Sequence, residues 1–249
     1  MRRIPQVTWV FDEGKIIETS AYQATQEWLD EACSSPGIWV LLGEPGVGKT
    51  FGATHYALRN RIPYITPPPD RDLTVRRWLR YLAVHLAPDH NPNDDPYYLL
   101  CDWAESQPLT RVIIDEAVRL RRPCLDALRD LHDRYPVTIV LIGTSELERK
   151  LQHYDTIVHR VCGVWRVPPL NTKDIEALYE VPRDVAATIY SRTGGNYRHL
   201  ALLIDRLQRV PTTAITTGLV NTLADRYILG RPSKTARRNE RCETSGTGS

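Results

Sequence analysis

The stretch IWVLLGEPGVGKTFG, residues 38–52, constrains this chain more than any other. Its apolar opening reads as a strand buried on both faces. The strand runs straight into GEPGVGKT, Gly43 to Thr50, which fits the pattern G-x-x-x-x-G-K-[ST], and the helical segment THYALRN follows. Glycines in such a turn let backbone N–H groups converge on phosphate oxygens with no Cβ in the way. The N-terminus of the next helix adds a field that favours anions. In this pattern Lys49 reaches the β- and γ-phosphates of a nucleotide and the Thr50 hydroxyl ligates Mg²⁺. The candidate cradle is Gly43, Glu44, Pro45, Gly46, Val47, Gly48, Lys49, Thr50 and Phe51.

A phosphate loop needs a carboxylate from the end of another strand, and RVIIDEA supplies one. Asp115 ends an apolar run and is the second candidate Mg²⁺ ligand, with Thr50. Glu116 beside it can orient and polarise an attacking water. The next strand, VTIVLIG, ends in Thr144 and Ser145, which places a polar side chain near a γ-phosphate.

Alternation predicts the frame around these motifs. A helix begins near Thr19 or Ser20, with Ser20 as a cap and Ala21, Ala24, Trp28 and Ala32 at helical spacing. Strands are expected at GIWVLL, IPYIT, RVIID, VTIVLIG and VWRV, with helical segments between them, including DLTVRRWLRYLAVHL with Val75, Trp78, Leu79, Leu82 and Leu86 on one stripe. This order predicts an α/β fold with a parallel sheet covered on both faces. From NTKDIEALYE to about Tyr227 the pattern is helical only. The expected division is 1–170, an α/β nucleotide-binding domain with an extended lead-in; 171–230, a small helical lid domain; and 231–249, a disordered basic tail.

Composition narrows the class less. The 249 residues carry 32 basic and 30 acidic side chains, so any basic surface must be local. The five cysteines form no C-x-x-C pair, which argues against a disulfide framework or a zinc site, and the histidines show no metal spacing. No apolar run is long enough to cross a bilayer, and no apolar core of signal-peptide length opens the chain, so a cytoplasmic location without a membrane partner is expected.

The order of motifs resembles an AAA+ ATPase. More narrowly it resembles the transposon-encoded target-selection ATPases of the TnsC, TniB and MuB kind, over about residues 10–210. The segments that carry the resemblance are GEPGVGKT, IIDEAVRL, LRDLHDRYPVTIVLIGTSELERKL, HRVCGVWRVPPL, GGNYRHL and the lead-in IIETSAYQ. The resemblance implies ATP and Mg²⁺ as cofactors, ATP hydrolysis, and roles by position. Thr144 falls at or beside sensor 1, Arg160 matches the arginine that projects into a neighbouring subunit's site, and Arg198 matches the sensor-2 arginine. It further implies a hexamer-like or helical self-assembly on double-stranded DNA, recruitment of a transposase, and a TniQ-type target selector as a possible partner. The chain departs from the family pattern at Val118, where a polar residue is frequent, and at Thr144–Ser145, where many AAA+ members carry Asn.

Local basic clusters are the candidate DNA contacts: Arg71, Arg76, Arg77 and Arg80, and, more weakly, Arg119 with Arg121 and Arg122. A solvated polar helix face gives the same pattern. Two other readings use the same motifs. One is a helicase-loader or replication-type ATPase; the other is an ATP-binding scaffold with little turnover.

Overall fold

A computed structural model of the chain describes residues 18–70, 72–87, 91, 93–207, 209–210 and 215–228. The lead-in before residue 18, Arg71 and the whole basic tail lie outside these residues. The elements run α1 (Ser20–Ala32), β1 (Gly37–Leu42), α2 (Lys49–Asn60), β2 (Tyr64–Ile65), α3 (Val75–Leu86), α4 (Pro96–Glu105), β3 (Thr110–Ile114), a 3-10 turn (Ala117–Arg119), α5 (Arg122–Arg134), β4 (Val137–Gly143), α6 (Ser145–Gln152), α7 (Asp155–Val158) and β5 (Val161–Arg166). Four helices follow: α8 (Thr172–Tyr179), α9 (Arg183–Thr193), α10 (Tyr197–Leu207) and α11 (Thr217–Tyr227).

All five strands are parallel, in the order β2-β3-β4-β1-β5. Burial of every residue in β1 and β4 explains why these strands read as unbroken apolar runs rather than alternating ones. The period of two still decides which face each side chain serves. Ile38, Val40, Leu42, Ile139 and Leu141 join a core with α3, α4, α5 and α6. Trp39, Leu41, Val140 and Ile142 point the other way, into a core with α1 and α2. A third core, built from Leu170, Ile175, Val185, Ile189, Leu200, Leu203 and Val220, belongs to α8–α11 and the segment entering them.

Two local expectations change. Thr19, not Ser20, caps α1: its hydroxyl accepts from the Tyr22 N–H, while the Ser20 hydroxyl donates to Asp174 of α8. The buried stripe of α1 is Ala21, Thr25, Leu29 and Ala32, with Gln26 beside it, so Ala24 and Trp28 sit at its margin. Thr25 is buried with its hydroxyl bonded, and Gln26 with its amide N–H₂ bonded. Thr25 donates to the Ala21 carbonyl and accepts from the Trp165 indole, and Gln26 donates to the Gly52 carbonyl of α2. The last strand also starts earlier than VWRV suggests, at Val161, where Gly163 leaves room for the Trp39 ring.

Candidate functional site: the phosphate loop and the strand ends around it

In a parallel sheet with covered faces, ligands bind beyond the carboxyl ends of the strands. The candidate residues gather there. β1 ends at Leu42 and the chain turns through residues 43–48 into α2. Gly46 and Gly48 hold φ values of 85° and 93°, a left-handed conformation that costs a residue with a Cβ about 1–2 kcal/mol. Gly48 is the N-cap of α2 and brings no side-chain cap, so the first turn of the helix keeps N–H groups without intrahelical partners.

Lys49 is 8% exposed, and its ammonium donates to the carbonyls of Gly43 (2.7 Å) and Glu44 (2.9 Å). The charged tip is thus folded back along its own loop. Burial lowers the Lys49 pKa; the carboxylates of Asp115, Glu116 and Glu44 pull it back up, and the Arg198 guanidinium adds to the lowering. Those four charges come from three separate parts of the chain and act on one ammonium.

Asp115 follows β3 and is 5% exposed. Its Oδ2 accepts from the Thr50 hydroxyl at 2.8 Å, a direct link between the phosphate loop and the acidic motif 65 residues away. The same oxygen accepts from the Tyr64 phenol of β2 at 2.5 Å, and Oδ1 accepts from the Glu116 N–H at 2.7 Å. A hydroxyl and a carboxylate side by side at a strand end form an oxygen donor set that suits a hard divalent cation such as Mg²⁺. Glu116 has a positive φ of 50°, unusual for a residue with a Cβ, and its side chain is exposed beside Asp115. Thr144 stands at the end of β4, between β1 and β3 in the sheet, and caps α6 by accepting from the Glu146 N–H. Phe51 turns sideways, 6.2 Å from the Tyr22 ring and stacked 6.5 Å from His55.

Arg198 is the second residue of α10 and is exposed near Lys49. Arg160 is elsewhere. Its guanidinium pairs with Asp133 of α5 at 2.6 Å and donates to the Thr156 carbonyl at 2.8 Å. No bond joins it to the phosphate loop of its own chain among the described residues.

Sequence reasoning misses three residues. Tyr64 holds the carboxylate just described. Asn196 donates from its amide to the Pro45 carbonyl at 2.5 Å, and the Tyr197 N–H donates to the Gly46 carbonyl at 2.8 Å. In GGNYRHL the resemblance singles out the arginine; the asparagine is what touches the loop.

The candidate DNA face is arranged differently. Arg76, Arg77 and Arg80 line a shallow groove along α3 with Tyr81, Val84 and His85. Arg77 pairs with Asp70 at 2.7 Å, Arg80 donates to the Asp94 carbonyl at 2.7 Å, and Arg119 donates to the Pro67 carbonyl at 3.0 Å. Val118, half-buried against the core, offers its carbonyl to Lys150 at 2.7 Å. No described helix is long and apolar enough to cross a membrane.

Residues 31–151 match the AAA domain family. A potential ATP-binding protein of Staphylococcus aureus is 21% identical over 266 residues, covering 86% of this chain and 97% of its own length. The Walker-type ATPase of Pyrococcus abyssi has a TM-score of 0.62 at 16% identity, over 92% of this chain and 76% of that one. The ORC2 protein of Aeropyrum pernix, in its ADPNP–ADP complexes, has a TM-score of 0.60 at 12% identity, over 92% and 72%. The RuvB Holliday junction branch migration motor of Thermotoga maritima has a TM-score of 0.53 at 18% identity, over 84% and 69%. The parallel sheet and phosphate loop described above match a P-loop AAA+ α/β fold, and residues 31–151 are similar to the AAA domain family.

Proposed function

We propose that the protein binds ATP with Mg²⁺, hydrolyses it, and uses the cycle to control assembly on double-stranded DNA as a regulator of transposition. The observation that carries the nucleotide reading is the Thr50–Asp115 bond beside a buried Lys49, which joins the two halves of a phosphate site across the sheet. In this reading Lys49 leaves the Gly43 and Glu44 carbonyls and bonds to the β- and γ-phosphates. Thr50 and Asp115 hold the metal, with Tyr64 fixing the carboxylate. Bound Mg²⁺ supplies charge neutralisation at the phosphates. Glu116 orients the attacking water and takes its proton. Thr144 bonds to the terminal phosphate or the water, and Arg198 stabilises charge on the transferred group.

Arg160 acts in the site of a neighbouring subunit, which ties turnover to self-association; a guanidinium in that role is worth about 10³–10⁵ in rate. Its guanidinium bonds to Asp133 and the Thr156 carbonyl and, among the described residues, to no part of its own phosphate loop, which supports this assignment. ATP then keeps subunits together, and loss of the γ-phosphate weakens the contact. The DNA contacts are Arg71, Arg76, Arg77, Arg80 and Arg119, which bind phosphates without reading sequence. The same fold serves the RuvB branch migration motor, a protein that works on DNA junctions, which makes a DNA partner reasonable here. The resemblance to transposon target-selection ATPases supplies the finer reading: a transposase recruited to the assembly and a TniQ-type selector as partner. The division into an α/β domain to about residue 170 and a helical lid to about 230 fits the separate core of α8–α11.

The test is duplex binding with ATP, with ADP and without nucleotide, at stated salt, alongside steady-state ATP turnover. Tight binding only with ATP, in assemblies that grow along the duplex, is the expected result. Turnover without duplex binding removes the DNA-filament part and leaves a protein-remodelling ATPase. Preference for single strands together with capture of a helicase moves the reading to a helicase loader. Nucleotide binding without turnover in any state moves it to a scaffold.

A further inference from the structure

The start of α10 is built onto the phosphate loop, and its chemistry is more specific than helix packing requires. Asn196 is the N-cap of α10: its Oδ1 accepts from the N–H groups of Arg198 (3.0 Å) and His199 (3.3 Å), and its carbonyl accepts the first helical bond from Leu200. Serine, threonine or aspartate would cap as well. Only asparagine also has an amide N–H₂ to spare, and here that amide donates to the Pro45 carbonyl. The next residue adds a backbone donor, Tyr197 N–H to the Gly46 carbonyl. Two consecutive carbonyls of the loop are therefore held by two consecutive residues of one turn.

A planar trans peptide points its N–H opposite to its C=O. Fixing the Pro45 and Gly46 carbonyls toward α10 aims the Gly46 and Val47 N–H groups the other way, to the side of the loop away from Asn196, where the Val47 N–H donates at 3.4 Å to the Glu44 carbonyl. Gly46 is required twice over: its φ is positive, and a Cβ there would lie 2.6 Å from the Asn196 amide nitrogen. The turn is itself anchored. The Tyr197 phenol bonds to Thr19 at the start of α1, and Gly195 packs on the Leu170 backbone so closely that no Cβ fits.

We infer that Asn196, with the Tyr197 N–H, is a positioning residue that presets the phosphate loop, so that the orientation of its amides, and with it affinity for nucleotide phosphates, depends on docking of the α10 turn. The inference rests on the nucleotide-site reading above. It assigns Asn196 no contact with the ligand and no part in the chemistry.

Asn196→Ser keeps a neutral cap but is too short to reach the Pro45 carbonyl; Asn196→Asp keeps the cap and has no donor. Two readouts apply to each: hydrogen exchange of the nucleotide-free protein, read over residues 44–49, and affinity for fluorescent ADP and ATP. Both variants are expected to keep the wild-type circular dichroism, to exchange faster over 44–49 than elsewhere, and to bind ADP and ATP alike about tenfold more weakly, the upper scale of one lost hydrogen bond. Wild-type exchange and wild-type affinity in both variants overturn the inference. Weakening in Asn196→Asp alone also overturns it, because added negative charge then explains the loss. Exchange that rises across the whole domain assigns Asn196 a stabilising role only and overturns it too. Absence of ADP binding by the wild-type protein sinks the nucleotide reading itself, and is told apart from the other results by requiring no variant.

Discussion

The phosphate-loop end of the sheet and the arginine face of α3 are both polar surfaces, yet they are built in opposite ways. At the loop, charged groups are buried and converge: Lys49 is held by backbone carbonyls, and Asp115 by the half-buried Thr50 hydroxyl and other donors. On α3 Arg76 and Arg77 are exposed and Arg80 is half-buried; Arg77 is tied to Asp70 and Arg80 to the Asp94 carbonyl. A buried polar cluster tolerates few alternatives, because each group left unpaired costs about 1–3 kcal/mol. An exposed ion pair is worth about 0–1 kcal/mol, so its partner can be exchanged for a nucleic-acid phosphate with little loss. The first surface has a chemistry written into its geometry; the second offers charge that must be claimed by a partner.

Breaking the buried side should give the largest effects. Lys49→Ala removes the one ammonium at the loop, and ATP affinity measured by fluorescence titration should fall by about a hundredfold or more, with ATP-dependent DNA binding lost as well. DNA binding that survives with its nucleotide dependence intact would break the link between the two surfaces. Glu116→Gln keeps the shape and removes the proposed base, so single-turnover hydrolysis should slow by about 10²–10⁴ while ATP stays bound. Fast turnover by this variant would mean that another group activates the water.

Smaller effects sharpen the contrast. Tyr64→Phe removes one of the donors on Asp115 and keeps the ring; the Mg²⁺ concentration needed for tight ATP binding should rise several-fold, about 0.5–1.5 kcal/mol. An unchanged Mg²⁺ titration would show that the remaining donors, the Thr50 hydroxyl and the Glu116 N–H, suffice to fix the carboxylate. The smallest effect belongs to the exposed face. Replacing Arg76 and Arg77 by alanine should lower duplex affinity about equally for all sequences and reduce the salt slope by about one for each phosphate no longer neutralised. An unaltered slope would mean that the groove along α3 is a solvated helix face and that DNA, if bound, lies elsewhere.

This contrast also explains what the chain discloses before it is folded. The phosphate loop, the acidic pair and all five strands are legible because each is local: an apolar run, a spacing of glycines, a carboxylate at a strand end. Tyr64 and Asn196 are not, because each acts through a single bond to a distant residue, Asp115 and Pro45, that leaves no local pattern. A tyrosine in IPYIT reads as any half-buried strand residue, and an asparagine before a helix reads as a cap. The mistaken stripe on α1 has a related origin. Apolar spacing favours Ala24 and Trp28, whereas Thr25 and Gln26 are buried, with Thr25 bonded to Trp165 and the Gln26 amide N–H₂ to Gly52. Arg160 is legible as a position but not as a geometry, since its ion pair with Asp133 joins the approach to a strand to a helix.

The strand order sets when this site can exist during synthesis. β1 carries the phosphate loop, but its two neighbours are β4 and β5, and its first pairing, Gly37 with Thr138, must wait for about a hundred further residues. At about 5–20 residues per second the ribosome takes several seconds to deliver them. Through that interval the GIWVLL segment has made its loop sequence but owns no sheet partner, and the Thr50–Asp115 link cannot hold. A nascent chain therefore gains a phosphate site only late, once the middle of the sheet closes around its first strand, and ATP offered earlier would find nothing to bind.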